Sequence, residues 1–172
     1  HKLQRFAERM PIDPLTVGYS FINVDRGVGK YWIRPTRTIQ PNEDVGEYLF
    51  VSNEFIPTPT LVLDREFATS VRFDPSLKKG QDLDFCLRLQ RVGAKFFMIE
   101  EPLAIWCDID EGGRTSRVAG YEANLAWLER ARPLLTRKAA LGYRATVLAY
   151  YLAKERPLTA LKDLIVGWAI AG

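Results

Sequence analysis

The hydrophobic pattern of this chain changes near residue 118, and this change limits the folds that the chain can adopt. Before this point, short β-branched and apolar runs alternate with a few helical segments. After it, apolar residues recur only with the period of an α-helix, which is interrupted at Pro133 and Pro157. We therefore predict an α/β body over residues 1–118 and a helical tail over residues 119–172.

Within the body, the pattern predicts a mixed order of helices and strands. The predicted order is a helix (2–10), two strands (17–24 and 31–34), an apolar helix or turn (45–51), a third strand (60–63) and a brief helix (65–70). The clearest helix covers 82–92, and 95–107 then forms two strands or one bent strand. The tail is predicted to contain helices over 121–131, 138–153 and 158–171.

Composition excludes several classes of protein. The apolar content of 47% and the charged content of 26% are typical of a globular domain. His1 is the single histidine, so neither a zinc cluster nor a histidine-based nucleophilic triad is expected. The two cysteines, Cys86 and Cys107, could pair, but reduced thiols in a cytoplasmic protein fit their apolar contexts better. We find no secretory signal, and no uncharged run approaches the ~20 residues of a membrane span.

Charge is divided unevenly along the chain. Residues 1–129 carry 16 basic and 19 acidic side chains, whereas residues 130–172 carry 8 basic and 2 acidic ones, a net charge of +6. This asymmetry indicates an anionic partner or membrane surface for the tail, and no nucleic-acid partner is expected. Packing of the tail helices on the body, or on another subunit in a homo-oligomer, remains an alternative.

The segment Gly80-Gln81-Asp82-Leu83-Asp84 places two acids in the first turn of the clearest predicted helix. Acids in this position stabilise a helix by about 0.3–1 kcal/mol each through its dipole and its free N–H groups. A carboxylate that is well oriented at a helix start also suits a general base, which takes a proton from an attacking hydroxyl. The segment alone does not distinguish these two interpretations.

Several short motifs surround this segment in a consistent order. They are Phe73-Asp74-Pro75-Ser76-Leu77, Gly80-Gln81-Asp82-Leu83-Asp84-Phe85, Leu87-Arg88-Leu89, Gly93 and Glu101-Pro102-Leu103. Together they resemble the second half of family 2 glycosyltransferases, which have the GT-A fold. The resemblance covers residues 1–118 and implies a Rossmann-like mixed sheet. It also implies inverting transfer from a nucleotide-sugar, such as a UDP-sugar, to an acceptor hydroxyl of a glycan or lipid-linked molecule, with Asp82 as general base.

The same resemblance suggests roles for further residues. Arg114, Ser116 and Arg117 match the family loop that closes over the donor diphosphate. Asp84 is an acceptor-side or structural residue. Independently of the resemblance, Asn53, Thr58 and Thr60 are acceptor-side candidates because they are polar and adjacent to the proline-rich connection over 52–59, although turn and strand roles explain them equally well. The family uses Mn²⁺ or Mg²⁺, for which Asp108 or Asp110 are the weak candidate ligands because hard cations prefer oxygen.

The resemblance begins after the nucleotide-binding half of such enzymes, and the chain starts at His1 rather than Met. We therefore expect this chain to be the acceptor-side part of a longer glycosyltransferase, cytoplasmic and, if the tail binds lipid, peripheral to the inner face of the membrane. Two alternatives remain open. One is a non-catalytic nucleotide- or sugar-binding relative, and the other is a module that recruits the protein to membranes or promotes oligomerisation through its tail.

Overall fold

In a computed structural model, the chain is described at residues 1–27, 29, 31–77, 79–108, 120–153 and 155–171. It folds into two compact units. The first comprises residues 1–41, 54–74 and 81–112, and the second comprises residues 42–53, 75–80 and 113–172. The predicted boundary at residue 118 lies outside the described residues.

A mixed four-stranded sheet forms the centre of the first unit. Its middle strand, β1 (Thr16–Asp25), pairs along its whole length with the parallel strand β4 (Lys95–Cys107). On its other edge, β1 pairs with the antiparallel strands β2 (Tyr31–Arg34) and β3 (Val62–Leu63). The predicted mixed α/β class, with helices at the C-terminal end of the chain, is confirmed.

Strand β4 resolves the alternative between two strands and one bent strand. It runs as one strand, but its register against β1 shifts around Phe21, the residue that faces Pro102. Proline has no N–H group to donate to a neighbouring strand. The shift in register at Pro102 allows the pairing between β4 and β1 to continue beyond this residue.

Three helices cover the sheet within the first unit: α1 (Lys2–Arg9), α3 (Arg65–Val71) and α4 (Gln81–Arg91). Helix α4 buries Phe85 and Leu89 in one cluster with Val17 of β1 and Phe67 of α3. Val92, which the sequence places on the same apolar face, follows the end of α4 and is exposed. The core therefore anchors α4 on the sheet.

The second unit is helical. It contains α2 (Val45–Phe50), α5 (Tyr121–Ala131), α6 (Arg137–Tyr143), α7 (Ala149–Leu152) and α8 (Pro157–Ala171). A π-helical turn, Arg144–Leu148, joins α6 to α7, so the predicted helix over 138–153 is continuous but not uniform. Among the described residues, no helix has both the length and the apolar character needed to cross a membrane.

An aromatic cluster links the first segment of the second unit to its later helices. The rings of Phe50, Trp127 and Tyr143 meet at centroid distances of 4.7–6.0 Å. Two of these pairs, Phe50 with Trp127 and Phe50 with Tyr143, are edge-on, and aromatic pairs of this kind add about 0.5–1.5 kcal/mol each beyond their buried area. Phe50 of α2 is thereby packed into the core of the C-terminal helices, a contact that the local sequence pattern does not reveal.

Candidate functional site

The candidate site is centred on Asp82, in the first turn of α4. The helix begins immediately after Gly80, whose φ of 73° belongs to the left-handed region that glycine tolerates. The Oδ1 atom of Asp82 accepts a hydrogen bond from the Leu83 N–H at 3.0 Å. The backbone N–H of Thr58 also donates to this carboxylate. Two predicted site residues, Asp82 and Thr58, are therefore in direct contact.

The protein environment makes the Asp82 carboxylate a stronger base than an ordinary aspartate. The side chain of Asp82 is largely buried, and this burial raises its pKa more than any other influence changes it. Hydrogen bonds from the backbone N–H groups of Leu83, Asp82 itself and Thr58 act in the opposite direction but do not cancel it. A carboxylate with a raised pKa accepts a proton from a hydroxyl more readily, as a general base must.

Thr58 is held in place by a 3₁₀ turn, Thr58–Thr60, which follows Pro57, contains Pro59 and precedes strand β3. Thr60 is fully buried, and its hydroxyl donates to the carbonyl of Pro57 at 2.8 Å. The side chain of Thr60 is therefore engaged in closing the turn, while Thr58 is exposed and presents its N–H to Asp82. The strand predicted over 60–63 is limited to Val62–Leu63 because this turn occupies its first residues.

Asp84 lies on the same helix but in a different environment from Asp82. It is buried, and its Oδ2 atom pairs with Nε of Arg88 at 2.7 Å. The same guanidinium donates to the carbonyl of Val71, at the end of α3, also at 2.7 Å. Through Arg88, Asp84 connects α4 to α3 and thus supports the helix that carries Asp82.

Cys86 follows Asp82 one helical turn later and is completely buried. Burial, with a smaller contribution from the negative charge of Asp82, raises the pKa of this thiol far above its usual range. Cys107, at the end of β4, is exposed, and neither cysteine is in a disulfide. A buried thiol of this kind is not a nucleophile at neutral pH, so Asp82 remains the reactive candidate of this helix.

The remaining predicted residues are distributed differently. Asn53 belongs to the second unit, where it has a positive φ of 53°. Asp108 follows β4 and pairs with Nε of Arg26 at 3.0 Å. Asp110, Arg114, Ser116 and Arg117 lie outside the described residues.

In the part of the chain that the structure describes, no cluster contains three His, Cys, Asp or Glu residues that could hold a metal ion. Asp108, the one described candidate, is engaged by a cationic partner. The described residues by themselves therefore do not fit a Mn²⁺ or Mg²⁺ centre.

An aromatic cluster near the end of the sheet was not predicted from the sequence. Val24 of β1 is paired with Trp32 of β2 on one side and with Trp106 of β4 on the other. The two indoles therefore lie on the same face of the sheet. Each is 40% exposed. The ring of Phe55, three residues before Thr58, packs against Trp106 at 5.4 Å.

A charged pair lies beside this cluster. The guanidinium of Arg26 covers the Trp32 ring at 4.2 Å and is also the partner of Asp108. Polar groups thus flank partly exposed aromatic rings. The two tryptophans were the signal in the sequence that could have pointed to this cluster. Their position on one face of the sheet depends on strand register, which a local pattern does not predict.

Comparison with known proteins gives one informative similarity. The chain is 35% identical over 127 residues, which is 74% of its length, to the amylovoran biosynthesis glycosyltransferase AmsB of Erwinia amylovora. The aligned region spans 42% of that relative, so the chain covers less than half of it. No family model matches the chain. No solved structure matches it either. The chain is therefore a distant homologue of a glycosyltransferase.

Proposed function

We propose that this chain carries the acceptor side of a glycosyltransferase, which moves a sugar from a nucleotide-sugar to an acceptor hydroxyl. The observation that carries the proposal is the Asp82 carboxylate, partly buried at the start of α4 and of raised pKa, in a homologue of such an enzyme. The family resemblance of the Gly80–Phe85 segment supports the same role.

In the proposed reaction, Asp82 takes the proton of the acceptor hydroxyl as its oxygen attacks the anomeric carbon of the donor sugar. The new carbon–oxygen bond forms on the face opposite the leaving group, so the configuration inverts. The bond between the anomeric carbon and the phosphate oxygen breaks, and the nucleoside diphosphate leaves with the electron pair. The Thr58 N–H fixes the orientation of the carboxylate during this step.

For the donor, we propose that Arg114, Ser116 and Arg117 bind the diphosphate. Two guanidinium groups and a hydroxyl suit phosphate oxygens, because arginine donates hydrogen bonds in pairs. A divalent cation, Mn²⁺ or Mg²⁺, remains part of the proposal through the family resemblance alone. No step is assigned to it.

On the acceptor side, we propose that the ring of Trp106, which is partly exposed, and the half-buried ring of Phe55 bind the apolar face of an acceptor sugar. The C–H groups of a pyranose ring complement the negative face of an aromatic ring, and the neighbouring Arg26–Asp108 pair can bind sugar hydroxyls. Phe55 and Thr58 belong to one short segment that reaches Asp82. The proposed acceptor is a glycan or a lipid-linked sugar.

The decisive experiment compares Asp82→Asn with Glu66→Gln in the full-length protein. Glu66 is an exposed acid in the first turn of α3, so its variant controls for the loss of a helix-terminal charge. We expect Asp82→Asn to reduce kcat by at least about 100-fold, as loss of a general base does. Glu66→Gln should remain within about twofold of the parent.

Donor binding measured calorimetrically on the same variants separates the alternatives. Asp82→Asn should bind UDP or another nucleoside diphosphate as the parent does, because the residue faces the acceptor. Binding without turnover in the parent protein would favour a non-catalytic relative. Full activity of Asp82→Asn would contradict the assignment of the base.

A further inference from the structure

Helix α8 packs on the rest of the second unit through a narrow stripe, and the side chains that the structure describes in this stripe contribute little hydrophobic surface. Ala160 and Asp163 are 3% and 8% exposed. Gly167 lies so close to the π-helical turn that a Cβ atom there would come within 2.2 Å of the Cβ of Ala145. These three residues, at helical spacing, form the inner side of the helix.

The opposite side of α8 is apolar and uncovered by the rest of its unit. The large side chains there are exposed as follows: Leu158 82%, Leu161 52%, Leu164 49%, Ile165 57% and Val166 37%. In a helix stabilised only by its own unit, the apolar side would face inward. Helix α8 has the reverse arrangement, and an exposed apolar surface of this kind marks an interaction site.

The charges around this face are mostly positive. The segment 130–172 contains two acids, and one of them, Asp163, is turned inward, where it pairs with Arg144 at 3.2 Å. Arg156 and Lys162 of the α8 region are exposed, and so is the second acid of the segment, Glu155. Lys162 follows Leu161 on the outward side, where its long stem can lie along the apolar surface while the ammonium group reaches a polar layer.

We propose that the outward face of α8 binds an anionic phospholipid surface, with the helix lying in the plane of the interface. Leucine and isoleucine side chains would enter the boundary between headgroups and acyl chains, and Lys162 and Arg156 would contact lipid phosphates. A second copy of the chain fits this face less well. A two-fold symmetric contact through it would bring the same cationic residues of both copies together.

This inference does not depend on the proposed glycosyl transfer, and binding to lipid vesicles tests it separately. The chain is sedimented with vesicles of phosphatidylcholine alone and with vesicles that also contain phosphatidylglycerol. We expect binding to the mixed vesicles, weakened by salt, and little binding to phosphatidylcholine alone. Leu161→Ser/Ile165→Ser should lower the partition coefficient at least about tenfold, because two apolar side chains are lost from the interface.

A matched control removes two apolar side chains of similar exposure elsewhere. Leu3 and Val92 are 58% and 53% exposed in the first unit, so Leu3→Ser/Val92→Ser should bind vesicles as the parent does. Circular dichroism checks that both double variants are folded. Failure of the parent to bind anionic vesicles, equal binding to neutral ones, or equal binding by Leu161→Ser/Ile165→Ser would overturn the proposal. Self-association that this variant abolishes, without vesicle binding, would identify a second copy as the occupant.

Discussion

At the scale of single residues, the carboxylate of Asp82 is subject to burial and to hydrogen bonding, and burial has the larger effect. The folded chain therefore prefers the protonated form of this residue more than the unfolded chain does. A group of this kind favours folding at low pH, and this contribution is lost as the pH rises through its folded pKa. Asp82 thus lowers stability at the pH at which a base would be needed, a common cost of functional sites.

This linkage makes a prediction for Asp82→Asn. The free energy of unfolding of the variant, relative to that of the parent, should increase as the pH rises from 3.8, the ordinary pKa, through the raised value of the folded state. The total change should be about 1.4 kcal/mol for each unit by which the pKa is raised. Urea unfolding of both proteins between pH 3.5 and about 7.5 measures it. A difference that is constant with pH would show that the pKa of Asp82 is not raised.

At the scale of elements, Gly142 determines how closely α2 and α6 pack within the second unit. A Cβ atom at this position would lie 2.6 Å from the carbonyl oxygen of Phe50, which is backbone and cannot rotate away. The close approach also supports the contact between the rings of Phe50 and Tyr143. The glycine is therefore needed for space rather than for backbone conformation.

We predict that Gly142→Ala lowers the free energy of unfolding by about 1–3 kcal/mol, the usual cost of overpacking. Gly120→Ala is the control, since nothing lies within 4 Å of a Cβ atom at this helix N-cap. Its effect should be smaller, about 0.5–1 kcal/mol, because alanine is a poorer N-cap residue than glycine. Denaturant titration of both variants compares them. Equal losses of stability would contradict the steric argument.

The elements differ in how far the sequence predicts them. The helices α4, α5 and α8 and the strand β1 lie within one or two residues of their predicted bounds, because burial imposes a clear period on their side chains. The π-helical turn was not predicted, and neither was the 3₁₀ turn at Thr58, although the hydrogen bonds that close the 3₁₀ turn are local. The contact between Thr58 and Asp82 joins distant parts of the chain, so the sequence nominates both residues but does not show that they are in contact.

At the scale of the whole molecule, the uneven charge distribution acquires a structural meaning. The excess of basic residues predicted for the tail belongs to a helical unit whose α8 presents an apolar face outward. The sequence gives the charge, but only the packing shows that Asp163 is turned inward and that leucines and isoleucine are left outside. Net charge is thus predictable from composition, whereas the surface that carries it is not.

The proposed divalent cation is also tested at the scale of the whole molecule. The described residues hold no cluster of three metal-type ligands, and the aligned part of the chain spans 42% of its glycosyltransferase relative. If a divalent cation assists departure of the diphosphate, we expect EDTA to abolish sugar transfer by the full-length protein. Mn²⁺ or Mg²⁺ should restore it. Turnover that persists in EDTA would exclude this requirement.

The variant Asp108→Asn then tests whether the described candidate ligand takes part. The Oδ2 atom of Asp108 is paired with Arg26. We therefore expect the Mn²⁺ concentration for half-maximal activity to change less than about threefold in this variant. Loss of a direct ligand or of its supporting partner, in contrast, typically costs about 10–100-fold in metal affinity or activity. Titration of Mn²⁺ into EDTA-treated parent and variant provides the measurement. A shift of tenfold or more would place Asp108 in the metal site, either as a ligand or as the supporting partner of one.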